Sequence, residues 1–304
     1  MSSSEHRDTV VVGTDGSPHA DIALQWALRY AEARQLAVRM VTATEWPAAA
    51  NSATRYAIND TITAAHDGAR RMLDAAVARS RTSHPSLEIT GEVSSEAAVP
   101  ALLAASENSH LLVVGRRGLN PVMTALLGSV STSLVNHAHC PVAVIHEDRQ
   151  TGDDRPVVAG LDGSKRDLAT LRVAFDEAAR RGAPLVAAHA WSDVPLAELV
   201  ILGSRAVHSY EELRAEASTL VTDQLAAWRA RYPDVTVQTS IHNDQPAATL
   251  IELGQGAGLL VVGSHGRGGF AGMVLGSVAR RVVHHANCPV IVVRGEPRPD
   301  TDER

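Results

Sequence analysis

Two stretches of this chain carry residue types and spacings suited to holding phosphate. Leu111-Leu112-Val113-Val114 runs into Gly115-Arg116-Arg117-Gly118, and after nine more residues comes Gly128-Ser129-Val130. From Leu259 the wording returns as Leu-Leu-Val-Val, then Gly263-Ser264-His265-Gly266-Arg267-Gly268 and, after the same interval, Gly276-Ser277-Val278. A buried strand that enters a glycine-spaced loop and then a helix start aims free backbone N–H groups and the positive helix end at one place. A second pair of turns carries carboxylates: Gly13-Thr14-Asp15-Gly16-Ser17 and Gly160-Leu161-Asp162-Gly163-Ser164. Ionised Asp is an acceptor for an amino group or a sugar hydroxyl.

Ligands of open α/β sheets sit beyond the carboxyl ends of the strands, where the crossovers change direction. If the first and fourth strands are neighbours, a carboxylate forms one wall of a pocket and phosphate-binding backbone the other. A nucleotide suits that arrangement. Glycine at 115, 118 and 128 is then expected because a Cβ would block close approach of the backbone. A plainer reading stands beside this one. Ser129 and Ser277 would be helix N-caps, and Asp15 and Asp162 would only satisfy turn amides.

The elements that must position these residues alternate along the chain. Thr9–Gly13 reads as a strand, and Ser17-Pro18 as a helix start, with the hydroxyl as cap and proline at the first helical position. A strand over 37–44, a helix over 61–81, a strand over 87–91, a helix over 96–106 and the strand at 111–114 follow. The helix from Ser129 and a strand over 141–145 close the first half. The apolar strands, without polar alternation, predict parallel sheets covered on both faces. Residues 148–156 read as a linker, after which the order restarts. Val10–Ser17 is matched by Val157–Ser164, and of the 37 positions in 111–147, 17 are identical in 259–295. The chain is a duplication, with domains expected at 1–147 and 157–295 and a flexible tail at 296–304.

Composition narrows the chemistry. The chain has 304 residues, 45% of them hydrophobic, and a net charge of −6. Neither half is a basic surface for nucleic acid or anionic membrane. No apolar run is long enough to span a bilayer and the first residues are too polar for a secretory signal, so the cytoplasm is the expected compartment. Lys165 is the sole lysine among 28 basic residues, which excludes a P-loop and its Gly-Lys-Ser/Thr. The first turn is not Gly-x-Gly-x-x-Gly, which argues against a dinucleotide oxidoreductase. His137, His139 and Cys140, with His284, His285 and Cys288, lie where a helix end favours histidine, and no metal site is expected there. No Glu or Gln adjoins the loops to orient water, so a dedicated hydrolase is not expected. Slow turnover using Arg116, Arg117, His265 or Arg267 remains the alternative, and a nucleotide-free interaction protein is a third.

Gly-x2-Gly-x9-Gly-Ser after the fourth strand, with Gly-x-Asp-Gly-Ser after the first, resembles the universal stress protein family over both halves. The wording is similar to tandem actinobacterial members of its ATP-binding branch. The resemblance implies two Rossmann-like (adenine nucleotide α-hydrolase-like) domains, each a five-stranded parallel sheet of order 3-2-1-4-5. It further implies ATP with Mg or another divalent cation, a homodimer formed through fifth-strand edges, and a regulatory stress-response role with an unnamed partner. Carried over by residue, adenine would meet Asp15 and Asp162 and the residue near Glu45 or Ala190. The loop residues at 115–118, 128–130, 263–268 and 276–278 would meet ribose and phosphates. The second copy reads Gly-Ser-His-Gly-Arg-Gly-Gly, close to the family wording. The first reads Gly-Arg-Arg-Gly-Leu-Asn-Pro; it loses two glycines and gains a proline without an amide donor. The second pocket is therefore expected to bind ATP more firmly than the first.

Overall fold

A computed structural model describes residues 8–45, 52–118, 127–146, 154–190, 204–266 and 275–294. The chain divides into two compact units, Met1–Asp148 and Arg149–Arg304.

In the first unit the strands are β1 (Thr9–Gly13), β2 (Ala37–Ala43), β3 (Ile89–Ser94), β4 (Leu111–Gly115) and β5 (Val142–Ile145). They lie in the order β3-β2-β1-β4-β5, and all four pairings are parallel. Helices α1 (Pro18–Glu32), α2 (Ser52–Ser83), α3 (Ala98–Ser106) and α4 (Ser129–His137) make the crossovers. The central strands are covered on both faces: Val10, Val11 and Val12 are wholly inaccessible, as are Leu112 and Val113. That explains why they read as unbroken apolar runs. Ser17 caps α1 by accepting from the Ala20 amide at 3.2 Å, and Pro18 follows it.

The second unit repeats the plan. Its strands β6 (Val157–Leu161), β7 (Leu185–Ala190), β8 (Val237–His242), β9 (Leu259–Gly263) and β10 (Val290–Val293) run β8-β7-β6-β9-β10. The pairings are parallel. Helices α5 (Asp167–Arg181), α6 (Ser204–Arg231), α7 (Pro246–Gly254) and α8 (Ser277–His285) connect them. Gly182 ends α5 at φ 60°, a left-handed stop that glycine adopts without a Cβ penalty. The order 3-2-1-4-5 holds in both units.

The edge strands depart from expectation. β3 lies at Ile89–Ser94 rather than 87–91, and β8 at Val237–His242 rather than 235–241. Pairing carries each past its apolar start, so that Thr42 and Ala43 stand beside Val93 and Ser94. One face of such a strand meets water, and Arg39 pairs there with Glu92. Helix α2 also begins at Ser52, ahead of the predicted 61. Cys140 and Cys288 are buried and form no disulfide, and among the described residues no cluster of His, Cys, Asp and Glu is placed to hold a metal.

Candidate functional site

In the first unit β1 lies beside β4 with Val12 opposite Val113, which brings the Asp15 turn to the mouth of the glycine loop. The turn is held from several sides. The Thr14 amide donates to Val41 O at 2.9 Å, and the Thr42 hydroxyl donates to Thr14 O at 3.0 Å. Asp15 Oδ1 accepts from the Ser17 amide at 3.0 Å. Its other oxygen faces Gly118 so closely that a Cβ there would collide with it. A carboxylate against the second loop glycine is the juxtaposition the two motifs predict.

The loop itself is fastened at its neck. Arg116 N donates to Ile145 O and Gly128 N to Arg116 O, each at 2.9 Å. The N-cap of α4 is therefore Gly128, with no side-chain cap, so Ser129 is not the capping residue. The first bond inside the helix is Thr132 N to Gly128 O, which leaves the amides of Ser129, Val130 and Ser131 without an intrahelical acceptor. Ser129 is exposed and Val130 half-buried. Those amides and the helix dipole make this end an anion seat. The Ser131 hydroxyl turns inward and donates to Gly115 O at 2.8 Å.

The second unit builds the same neck with different side chains. Ser264 N donates to Val293 O at 2.8 Å and Gly276 N to Ser264 O at 2.7 Å. Gly276 is the N-cap of α8, again without a side-chain cap. Arg280 N makes the first helical bond, to Gly276 O, so the amides of Ser277, Val278 and Ala279 have no intrahelical acceptor. Ser264 is buried, and its hydroxyl pairs with His265 Nδ1 at 2.9 Å. His189 replaces Thr42 beneath the turn. Its Nδ1 lies 2.9 Å from Leu161 O, and since a carbonyl only accepts, Nδ1 carries the proton.

Asp162 Oδ1 accepts from the Ser164 amide at 2.8 Å. Asp162 Oδ2 is buried with no hydrogen-bond partner, and a Cβ on Gly266 would stand 3.6 Å from it. Buried acceptors are nearly always satisfied in proteins, so an orphan of this kind marks a place for a donor. Ala190, at the end of β7, is half-buried.

Several glycines turn out to serve packing inside the protein. A Cβ on Gly13 would lie 2.9 Å from Leu102 Cδ1, and one on Gly160 would lie 2.8 Å from Leu250 Cδ1. A Cβ on Gly115 would lie 2.7 Å from His19 O. The obstacle at Gly115 is the backbone of α1, and at Gly118 it is the Asp15 carboxylate. Arg267, Gly268 and the Pro121 segment lie outside the described residues.

Three residues of the second site are not singled out by the motif. Arg166 Nη1 reaches Gly266 O at 3.5 Å, Gln224 Nε2 donates to Ser164 O at 3.1 Å, and Asp167 accepts from the Asp162 and Gly163 amides at 3.1 and 2.7 Å. The signal was a mismatch: Lys165-Arg166-Asp167 stands where the first copy has Pro18-His19-Ala20.

Comparison with known proteins identifies the family and agrees with the fold. The Universal stress protein family pattern matches residues 6–146 and again 155–294. Universal stress protein Rv1996 of Mycobacterium tuberculosis is 41% identical over 97% of this chain and 97% of its own length. A universal stress protein of Mycolicibacterium smegmatis is 38% identical, covering 94% and 96%. In fold, the crystal structure of a universal stress protein from Archaeoglobus fulgidus superposes with a TM-score of 0.66 at 18% identity, over 97% of this chain and 99% of that one. The chain belongs to the universal stress protein family and carries two tandem copies of its domain.

Proposed function

We propose that each unit binds an adenine nucleotide, ATP with a divalent cation, and that the protein acts as an ATP-responsive regulatory module of the cytoplasm rather than as a metabolic enzyme. The observation that carries this reading is Asp162. One of its oxygens holds a turn amide, while the other is buried, faces the glycine loop and has no hydrogen-bond partner. An adenine amino group or ribose hydroxyl supplies the missing donor. The uncapped starts of α4 and α8 receive the phosphates at amides that need an acceptor. A second copy of the chain, paired through fifth-strand edges, is the partner the family resemblance suggests, and no helix among the described residues is long and apolar enough to cross a membrane.

The second pocket is the firmer one in this proposal, because its loop keeps the family's glycines. The test is nucleotide released from the purified full chain by denaturation, followed by titration calorimetry with MgATP. The expected result is adenine nucleotide in the extract, and an Asp162→Ala variant that loses about ten- to hundredfold in affinity at one site, the worth of a hydrogen bond to a charged group. Phosphate release in the same sample would measure turnover. A protein that neither carries nor binds nucleotide would be the interaction protein of the third alternative.

A further inference from the structure

The Asp162 turn of the second unit rests on another carboxylate that the first unit lacks. Asp167 is the first residue of α5, yet its side chain points back along the chain rather than outward. Its two oxygens accept the amides of Asp162 and Gly163 at 3.1 and 2.7 Å, and the residue is 5% exposed. It thereby fixes the backbone that aims Asp162 at Gly266. In the first unit Ala20 occupies the matching position, and the Ser17 hydroxyl takes the Ala20 amide instead. Ser164 diverges as well, with its hydroxyl accepting from Arg166 N at 3.2 Å.

Two carboxylates within reach of each other, one of them buried, cannot both ionise cheaply. Burial first, and then the charge of Asp162, push the Asp167 carboxyl up to about 7, against the pull of the two amides. Strands β6, β9 and β10 have no titratable side chain along their length. His189 lies one residue before the end of β7, His265 follows β9, Arg294 follows β10, Asp223 adjoins Gln224 on α6, and Lys165 and Arg166 precede α5. The hydrogen bonds that hold Asp167 come from the Asp162 and Gly163 amides.

We propose that Asp167 is a positioning residue of the second nucleotide pocket and makes that pocket, alone of the two, bind ATP in a proton-dependent way. The inference rests on the ATP reading of the site and deepens it. With a proton on Asp167, the turn carries the single charge of Asp162. Its free oxygen then accepts from adenine or ribose, and the carboxylic O–H of Asp167 donates to the same carboxylate. When the proton leaves, a second negative charge lies under a pocket that receives a polyanion, and two carboxylates repel each other across the turn. Affinity for ATP therefore falls as pH rises through neutrality, and ATP binding draws a proton onto Asp167.

The experiment is MgATP titration calorimetry on the full chain carrying Asp15→Ala, so that the second pocket is read, at steps between pH 5.5 and 8.5. It is repeated in buffers of different ionisation enthalpy to count protons. We expect affinity to fall about three- to tenfold across that range beyond the slope that ATP's own phosphate imposes. We also expect proton uptake near pH 7, and the loss of both in Asp167→Ala, the residue type the first unit uses. Should that variant not fold, Asp167→Asn carries the same prediction, and Asp167→Glu, which keeps a carboxyl, restores a slope. Parallel profiles for wild type and both neutral variants would overturn the role of Asp167 while leaving ATP binding intact. Absence of binding at every pH would overturn the ATP reading, and this inference with it.

Discussion

The two glycine loops share their neck bonds and their uncapped helix starts, yet differ in how tightly the protein closes on them. At Gly115 a Cβ would lie 2.7 Å from the backbone oxygen of His19, whereas at Gly263 the nearest atoms are His265 O at 3.4 Å and Thr170 Oγ1 at 3.5 Å. At Gly118 a Cβ would strike Asp15, but at Gly266 Asp162 Oδ2 would be 3.6 Å away. The duplication has kept the bonds of the loop neck and the uncapped helix start, and changed what lies behind them. Similar wording at two positions need not answer to the same constraint: Gly115 is pressed against the backbone of α1, while its counterpart Gly263 has room for a methyl.

That contrast breaks most readily at its strictest point. Gly115→Ala forces a methyl into backbone that has nowhere to move, and about 2–3 kcal/mol of stability is expected to go, on the scale of overpacking. Gly263→Ala is expected to cost under about 1 kcal/mol, the glycine-to-alanine change itself being mild where space exists. Chemical denaturation of the two variants would decide; equal losses would remove the asymmetry.

The pH response is the next largest effect and separates the units by their carboxylates. A carboxyl held near 7 by burial and by Asp162 favours the protonated native state. It therefore contributes stability that is whole below about pH 4 and is lost as pH climbs through about 7. The melting temperature of wild type relative to Asp167→Asn should accordingly drop by a few degrees between pH 5 and pH 8. A constant difference would show that the pair does not share a charge.

The smallest effect concerns Ser131, whose hydroxyl secures Gly115 O in the first unit while the second has Ala279 at that place. Ser131→Ala should cost about 1 kcal/mol, and Ala279→Ser should add nothing comparable. Differential scanning calorimetry resolves a shift of that size.

Much of this was legible in the residues themselves. Val10–Val12 and Leu111–Val114 are apolar on both faces because helices cover both sides of the central strands, and that burial made their parallel adjacency readable. The pairing of Asp15 with Gly118 and of Asp162 with Gly266 followed from strand order and motif spacing. The edge strands were displaced because one face of β3 and β8 meets water, so Glu92 and His242 sit inside strands that an apolar pattern would end. Asp167 and Gln224 escaped notice for another reason. They act through the backbone of the Asp162 turn, and their mark in the sequence is a difference between two copies being searched for likeness. His189 was hidden similarly, since a buried imidazole there does what the Thr42 hydroxyl does in the first unit.

The central claim is two unequal adenine-nucleotide pockets, each anchored by the carboxylate that faces its loop. The most direct measurement is MgATP titration calorimetry on the full chain, on Asp15→Ala, on Asp162→Ala and on the double variant. Two binding events of different affinity are predicted, with Asp162→Ala removing the tighter, Asp15→Ala the weaker, and the double variant neither tight nor weak binding. Equal losses from the two single variants, or binding untouched by both, would contradict the account.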